Sequence, residues 1–141
     1  MSVSPRPAAL RVLRWAALAI SLGMFLSLAL NFFEIGPALM GGERVERAVW
    51  WRAAAPLVTV AGLLMACAFY GFSQEKPWSR HCVIALFLFI AIYAAMARAL
   101  NAIPSRMMWR AFANASLFGA LSLWYLYLKP NVAAYFRSRK P

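Results

Sequence analysis

The sequence predicts an all-α membrane protein: four transmembrane helices in a compact bundle, with a short interfacial helix in the first loop. Two observations carry this. Of 141 residues, 64% are hydrophobic and only 13% are charged, far outside the range of soluble domains. The apolar residues also fall into four continuous blocks, near 12–33, 53–72, 82–103 and 111–128, each close to the ~20 residues that cross a ~30 Å hydrocarbon layer as a helix. A membrane β-barrel would need strands of about 10 residues alternating polar and apolar, a pattern these blocks lack. The chain reads as one domain over 1–141, with 129–141 as a basic cytoplasmic tail.

The first block follows Arg6, Arg11 and Arg14, and the "SLA" at 27–29 resembles a signal-peptide cleavage site. The apolar run continues through Asn31 to Phe33, long enough to span, so we read an uncleaved signal anchor. Within it Ala19, Gly23, Ser27 and Asn31 recur at every fourth residue, a small-residue stripe that lets helices approach closely. Gly62 with Ala66, Ala91 with Ala95, and Ala115 with Gly119 repeat the device on the other three helices. Tight mutual packing is the expectation.

The first loop, "EIGPALMGGERVERAVWWR", is broken from helix 1 by Gly36, Pro37, Gly41 and Gly42. Glu43 and Arg47 then stand one helical turn apart, which predicts a short helix in the membrane interface. Trp50 and Trp51 would anchor it at headgroup level, either as a simple anchor or as a docking surface for another protein. The second loop, "SQEKPWSRH", places Pro77 just ahead of helix 3, where a missing N–H costs least. Trp78, Trp124 and Tyr127 are further interface anchors on the opposite side. His81, the lone histidine, reads as a solvated end-group in preference to a catalyst.

Arg98 is a charge inside an apolar run. It lies about 24 Å along the axis from Cys82 at 1.5 Å per residue, hence roughly 6 Å short of the far boundary of a ~30 Å core. Glu34 ends helix 1 on the same side, because odd-numbered helices finish opposite the N-terminus. We therefore expect Arg98 to pair with Glu34, with Asn31 and Asn101 completing a polar cluster at the outer end. Three roles stay open for it: a staple between helices 1 and 3, snorkelling of Arg98 to headgroups, or a ligand or ion site.

A net charge of +11 would point to nucleic acid in a soluble chain, but here the cations flank apolar blocks. They act as topology signals and as contacts for anionic lipid. Nine of them (Arg6, Arg11, Arg14, Lys76, Arg80, Lys129, Arg137, Arg139, Lys140) fall on the side of the termini and six (Arg44, Arg47, Arg52, Arg98, Arg106, Arg110) on the other, which predicts cytoplasmic termini. Cys67 and Cys82 have neither C-x-x-C spacing nor accompanying histidines, so neither disulfide nor metal is expected. No carboxylate pair, Ser/His/Asp set or phosphate loop suggests an enzyme, and no cofactor motif is present. The absence of a mid-depth acid or a broken helix counts against a proton-coupled carrier.

The C-terminal "WYLYLKPNVAAYFRSRKP" has Pro130 closing helix 4, after which Val132, Tyr135 and Phe136 form the apolar side of a short amphipathic turn. This stretch and "EKPWSR" ahead of helix 3 resemble pieces of small four-helix bacterial inner-membrane proteins. The resemblance covers these two stretches only. It implies the bacterial cytoplasmic membrane and a four-helix layout, and it assigns no catalytic or binding residue. The expected function is that of a non-catalytic accessory or scaffolding subunit packing against a larger membrane protein complex or a second copy of itself. Two other classes stay open: a small oligomeric carrier or channel using Asn31, Glu34, Arg98 and Asn101, and a lipid- or quinone-binding subunit.

Overall fold

The computed structural model describes residues 7–137. In chain order it contains α1 (Ala8–Phe32), β1 (Leu39–Met40), β2 (Glu43–Arg44), α2 (Arg47–Ala53), α3 (Ala55–Ser73), α4 (Ser79–Ala99), α5 (Ser105–Leu123), a π-helical turn (Trp124–Leu128) and α6 (Pro130–Arg137). The four long helices, α5 counted through Leu128, are long and apolar enough to cross a membrane. They pack together, α1 on α3, α3 on α4 and α4 on α5. Two ends result: a hairpin end, holding β1, β2, α2 and the α4–α5 turn, and a terminal end, holding the start of α1, the α3–α4 turn and α6.

Three of the helices stop by the same device. Glu34, Glu75 and Asn101 adopt left-handed backbone, at φ 59°, 55° and 54°. The following N–H in each case turns back to a carbonyl five residues earlier, Ile35 to Leu30, Lys76 to Gly71 and Ala102 to Ala97, all at 2.8 Å. This closure satisfies carbonyls that a helix C-terminus otherwise leaves without donors. It also moves boundaries: α4 ends at Ala99 and not near 103, and α5 begins at Ser105, directly behind Pro104, and not near 111.

α1 approaches α3 closely at Gly62, where an added Cβ would lie 3.3 Å from the Met24 Cβ. Beside it the buried Ser21 hydroxyl donates to the Gly62 carbonyl at 3.0 Å. Leu10, Ala17, Ser21 and Asn31 form the buried face of α1. Ala19 and Gly23 therefore fall on the opposite face, and a Cβ on Gly23 would meet nothing within 4 Å. This corrects the expectation of inward packing for Ala19 and Gly23, while Ser27 and Asn31 of the same stripe are half-buried and buried. A helix with one main neighbour presents one face, and the face carrying Ser21 has a hydroxyl that needs an acceptor, which Gly62 supplies.

Gly119 on α5 approaches α4 in the same way, its Cβ position 3.2 Å from that of Phe87. At the α3–α4 turn Gly71 packs on Ser79 so tightly that a Cβ would lie 2.7 Å from the Ser79 Cβ. The buried Ser79 hydroxyl donates to the Lys76 carbonyl at 2.7 Å. At the terminal end Leu10, Phe72, Leu126, Val132, Tyr135 and Phe136 share one core. The amphipathic segment expected after Pro130 is present as α6, but its apolar side is turned into the protein and not outward. Arg139 and Lys140 of the expected basic tail lie outside the described residues.

The glycine contacts give a paired prediction. Gly71→Ala should lower unfolding stability in detergent by about 1–3 kcal/mol through overpacking, whereas Gly23→Ala should change it by less than about 0.5 kcal/mol. Equal effects in a denaturant titration would contradict this packing.

Candidate functional site

At the hairpin end Gly41 and Gly42 both have positive φ, 61° and 85°, the backbone that a two-residue hairpin turn requires. Met40 faces Glu43 and Leu39 faces Arg44 in antiparallel register, and the Val45 N–H extends the pairing to the Ala38 carbonyl at 2.9 Å. The double glycine thus makes Glu43 a strand residue, and the helix expected to hold both Glu43 and Arg47 begins only at Arg47. Glu43 instead pairs with Arg106 of α5. Arg110, one turn later, donates to the Gly41 carbonyl at 3.4 Å, and Gly41 rests on the Met107 side chain. The hairpin is clamped onto the first turns of α5.

Trp50, expected at the headgroup level, is 1% exposed. Its indole N–H donates to the Leu39 carbonyl at 3.0 Å, and it packs with Ala38, Ala54 and Ala55. This is a correction with a simple cause: the ring fills the space beneath β1, and its polar edge finds a strand carbonyl there. Trp51 stacks edge-on against it and is exposed, as are Trp78 and Trp124. Tyr127 is half-buried at the terminal end, its hydroxyl hydrogen-bonded to His81 Nδ1 at 2.6 Å.

The expected outer polar cluster divides in two. Arg98 donates to the Asn101 side-chain oxygen at 2.9 Å, so the two share the end of α4. Glu34 is exposed in its left-handed cap and forms no ion pair with Arg98; among the described residues the ion pair is Arg106 with Glu43. The buried Asn31 amide donates to Ser27 O at 2.9 Å, within its own helix. The cation that docks on the end of α1 is Arg47, donating to the Asn31 and Gly36 carbonyls at 3.2 and 2.9 Å. Backbone carbonyls in the last turn of α1 and in the loop behind it, and not the glutamate carboxylate, are its acceptors.

Beneath the hairpin lies a half-open cavity of about 250 Å³. Met40 and Gly41 roof it, Ala53, Ala54 and Leu57 form one wall, and Ile90, Tyr93, Ala94 and Ala97 of α4 face Met107, Arg110, Ala111 and Asn114 of α5. The Tyr93 hydroxyl donates to the Ala53 carbonyl at 3.0 Å, which leaves its oxygen able to accept. Arg110 and Asn114 supply donors on the opposite wall. The cavity therefore suits a small molecule with a hydrocarbon body and one or two polar atoms. Among the described residues no three His, Cys, Asp or Glu side chains come together to hold a metal. Cys67 and Cys82 are free thiols.

Arg106 and Arg110 were legible as a pair on one helix face, four residues apart, but nothing in their spacing names the hairpin as their target. Tyr93 carries no signal in an apolar run. No known protein family, curated protein or solved structure matches this chain.

The clamp is testable. The Arg106–Glu43 pair is exposed, so Arg106→Gln should cost less than about 1 kcal/mol and leave global unfolding nearly unchanged. Local opening should nevertheless speed trypsin cleavage after Arg44 about two- to fivefold. An unchanged cleavage rate would mean that the pair does not hold the hairpin.

Proposed function

We propose that this chain is a four-span integral membrane protein serving as a non-catalytic accessory subunit, which packs against a larger membrane complex through the outer face of α1. The observation that carries the reading is the outward Ala19–Gly23 stripe. It has the small-residue character of a helix–helix contact, and the chain's own helices do not use it. Around it Val12, Leu22, Leu26 and Leu30 are exposed, and α5 exposes Trp109, Leu117, Phe118, Leu121 and Trp124. Apolar surface on this scale calls for lipid or protein cover.

The bacterial cytoplasmic membrane is supported by the resemblance of "EKPWSR" and the C-terminal stretch. The distribution of Lys and Arg supports placing the terminal end in the cytoplasm and the hairpin end outside. A second reading, a subunit that binds a small amphipathic molecule, is favoured by the roofed cavity with Tyr93, Arg110 and Asn114 on its walls.

Mild-detergent extraction of the tagged chain from its native membrane should recover a larger membrane protein in stoichiometric amount. Gly23→Leu adds bulk where there is open space, so it should preserve yield and unfolding midpoint while removing that partner. Recovery of the chain alone or only as a homo-oligomer, or full retention of the partner by Gly23→Leu, would contradict the proposal.

A further inference from the structure

The terminal end carries a second cavity, about 360 Å³, lined by Arg80, Tyr127, Leu128, Pro130, Ala133 and Arg137. Its geometry begins with a proline. Pro130 has no N–H to give the Leu126 carbonyl four residues before it, and the chain there widens so that the Lys129 N–H reaches back to Trp124 O at 3.0 Å. Arg80 from α4 fills the gap, donating through Nη1 to Leu126 O at 3.4 Å and through Nε to Pro77 O at 3.2 Å. Its guanidinium lies over the Tyr127 and Phe136 rings, 4.6 and 4.7 Å from their centroids. Two of its N–H groups are engaged in this way, and the fork retains further donors at the cavity.

Arg137, in the last turn of α6, lines the same cavity and is exposed. Among the described residues neither Arg80 nor Arg137 forms an ion pair. Two arginines, one with its guanidinium over two aromatic rings, thus line one open volume. Planar forks of this kind match the oxygens of a phosphate. Leu128, 67% exposed, and Trp124 continue the cavity rim onto the apolar outer surface of α5. A ligand seated here meets positive charge on one side and hydrocarbon-compatible surface on the other.

We propose that Arg80 and Arg137 form a binding site for the phosphate of an anionic phospholipid headgroup, with Leu128 against its acyl chain. This rests on the four-span reading, under which the cavity lies at headgroup level on the cytoplasmic side.

The test titrates the detergent-purified full chain with mixed micelles containing phosphatidylglycerol, with micelles containing only phosphatidylcholine, and with inorganic phosphate. Apparent affinity is read from the shift in thermal midpoint. Phosphatidylglycerol should stabilise and phosphatidylcholine should not. Arg137→Gln, on an exposed side chain, should weaken the phosphatidylglycerol effect about tenfold, and Arg80→Lys should weaken it similarly because an ammonium keeps the charge without the fork. Arg106→Gln, at the hairpin end, should leave it unchanged. Equal stabilisation by inorganic phosphate would overturn the lipid source, and an undiminished effect in both Arg137→Gln and Arg80→Lys would overturn the site. Failure of the four-span reading is separately visible as release of the chain from membranes by alkaline carbonate.

Discussion

A long helix pairs its own backbone along its length and leaves N–H and C=O groups without partners only at its ends. The rest of this structure follows from that constraint. The long helices satisfy their own backbone along their length, so most carbonyls that need a donor sit where a helix stops. Three of these stops are closed by left-handed residues, and arginines claim further carbonyls at helix ends and in the connecting turns: Arg47 on Asn31 and Gly36, Arg80 on Leu126 and Pro77, Arg110 on Gly41. With 15 basic and 4 acidic residues, most cations have no carboxylate available. Backbone carbonyls in the turns and at helix ends are the acceptors left to them, and at Asn31 the cation also meets the negative end of the α1 dipole.

The two ends differ in what they build on this common base. At the hairpin end the arginines on α5 hold a roof over an apolar cavity, and Trp50 supports the roof from beneath. At the terminal end Arg80 lies over two aromatic rings and reaches the Leu126 carbonyl that Pro130 leaves without a donor. The roofed cavity is suited to a small neutral body, while the two arginines suit an anion. Between the ends, the α1 surface bearing Ala19 and Gly23 is left uncovered, and the accessory-subunit proposal grows from that surface.

The number and approximate placement of the long helices were legible because continuous apolar runs and their breakers are local properties. Helix ends were less so: Glu34, Glu75 and Asn101 take a conformation usually given to glycine, and nothing in their composition announces it. The hairpin was in principle readable from Gly41–Gly42, but the one-turn spacing of Glu43 and Arg47 offered a competing helical reading, and the turn geometry prevailed. Small-residue spacing on α1 was real, yet spacing alone does not say which face a neighbour takes; the Ser21 hydroxyl and the Gly62 carbonyl decide that. The Arg98–Glu34 pairing failed for a related reason. Being on the same side of the molecule is a weaker condition than being in reach, and Asn101 lies three residues from Arg98 on the same chain end. Trp50, Val132, Tyr135 and Phe136 have aromatic or aliphatic bodies that suit an interface as well as a core, so only the surrounding space distinguishes the two.

The separation of the two ends across a bilayer is tested most directly by single-cysteine labelling in intact cells, in a chain with Cys67 and Cys82 replaced by serine. A membrane-impermeant maleimide should label Ile35→Cys, beside the hairpin, without permeabilisation. It should reach Gln74→Cys, in the α3–α4 turn, only after the membrane is opened. Labelling of both positions from the same side would contradict the alternating four-span arrangement, and the reverse pattern would contradict the assignment of the Arg80 end to the cytoplasm.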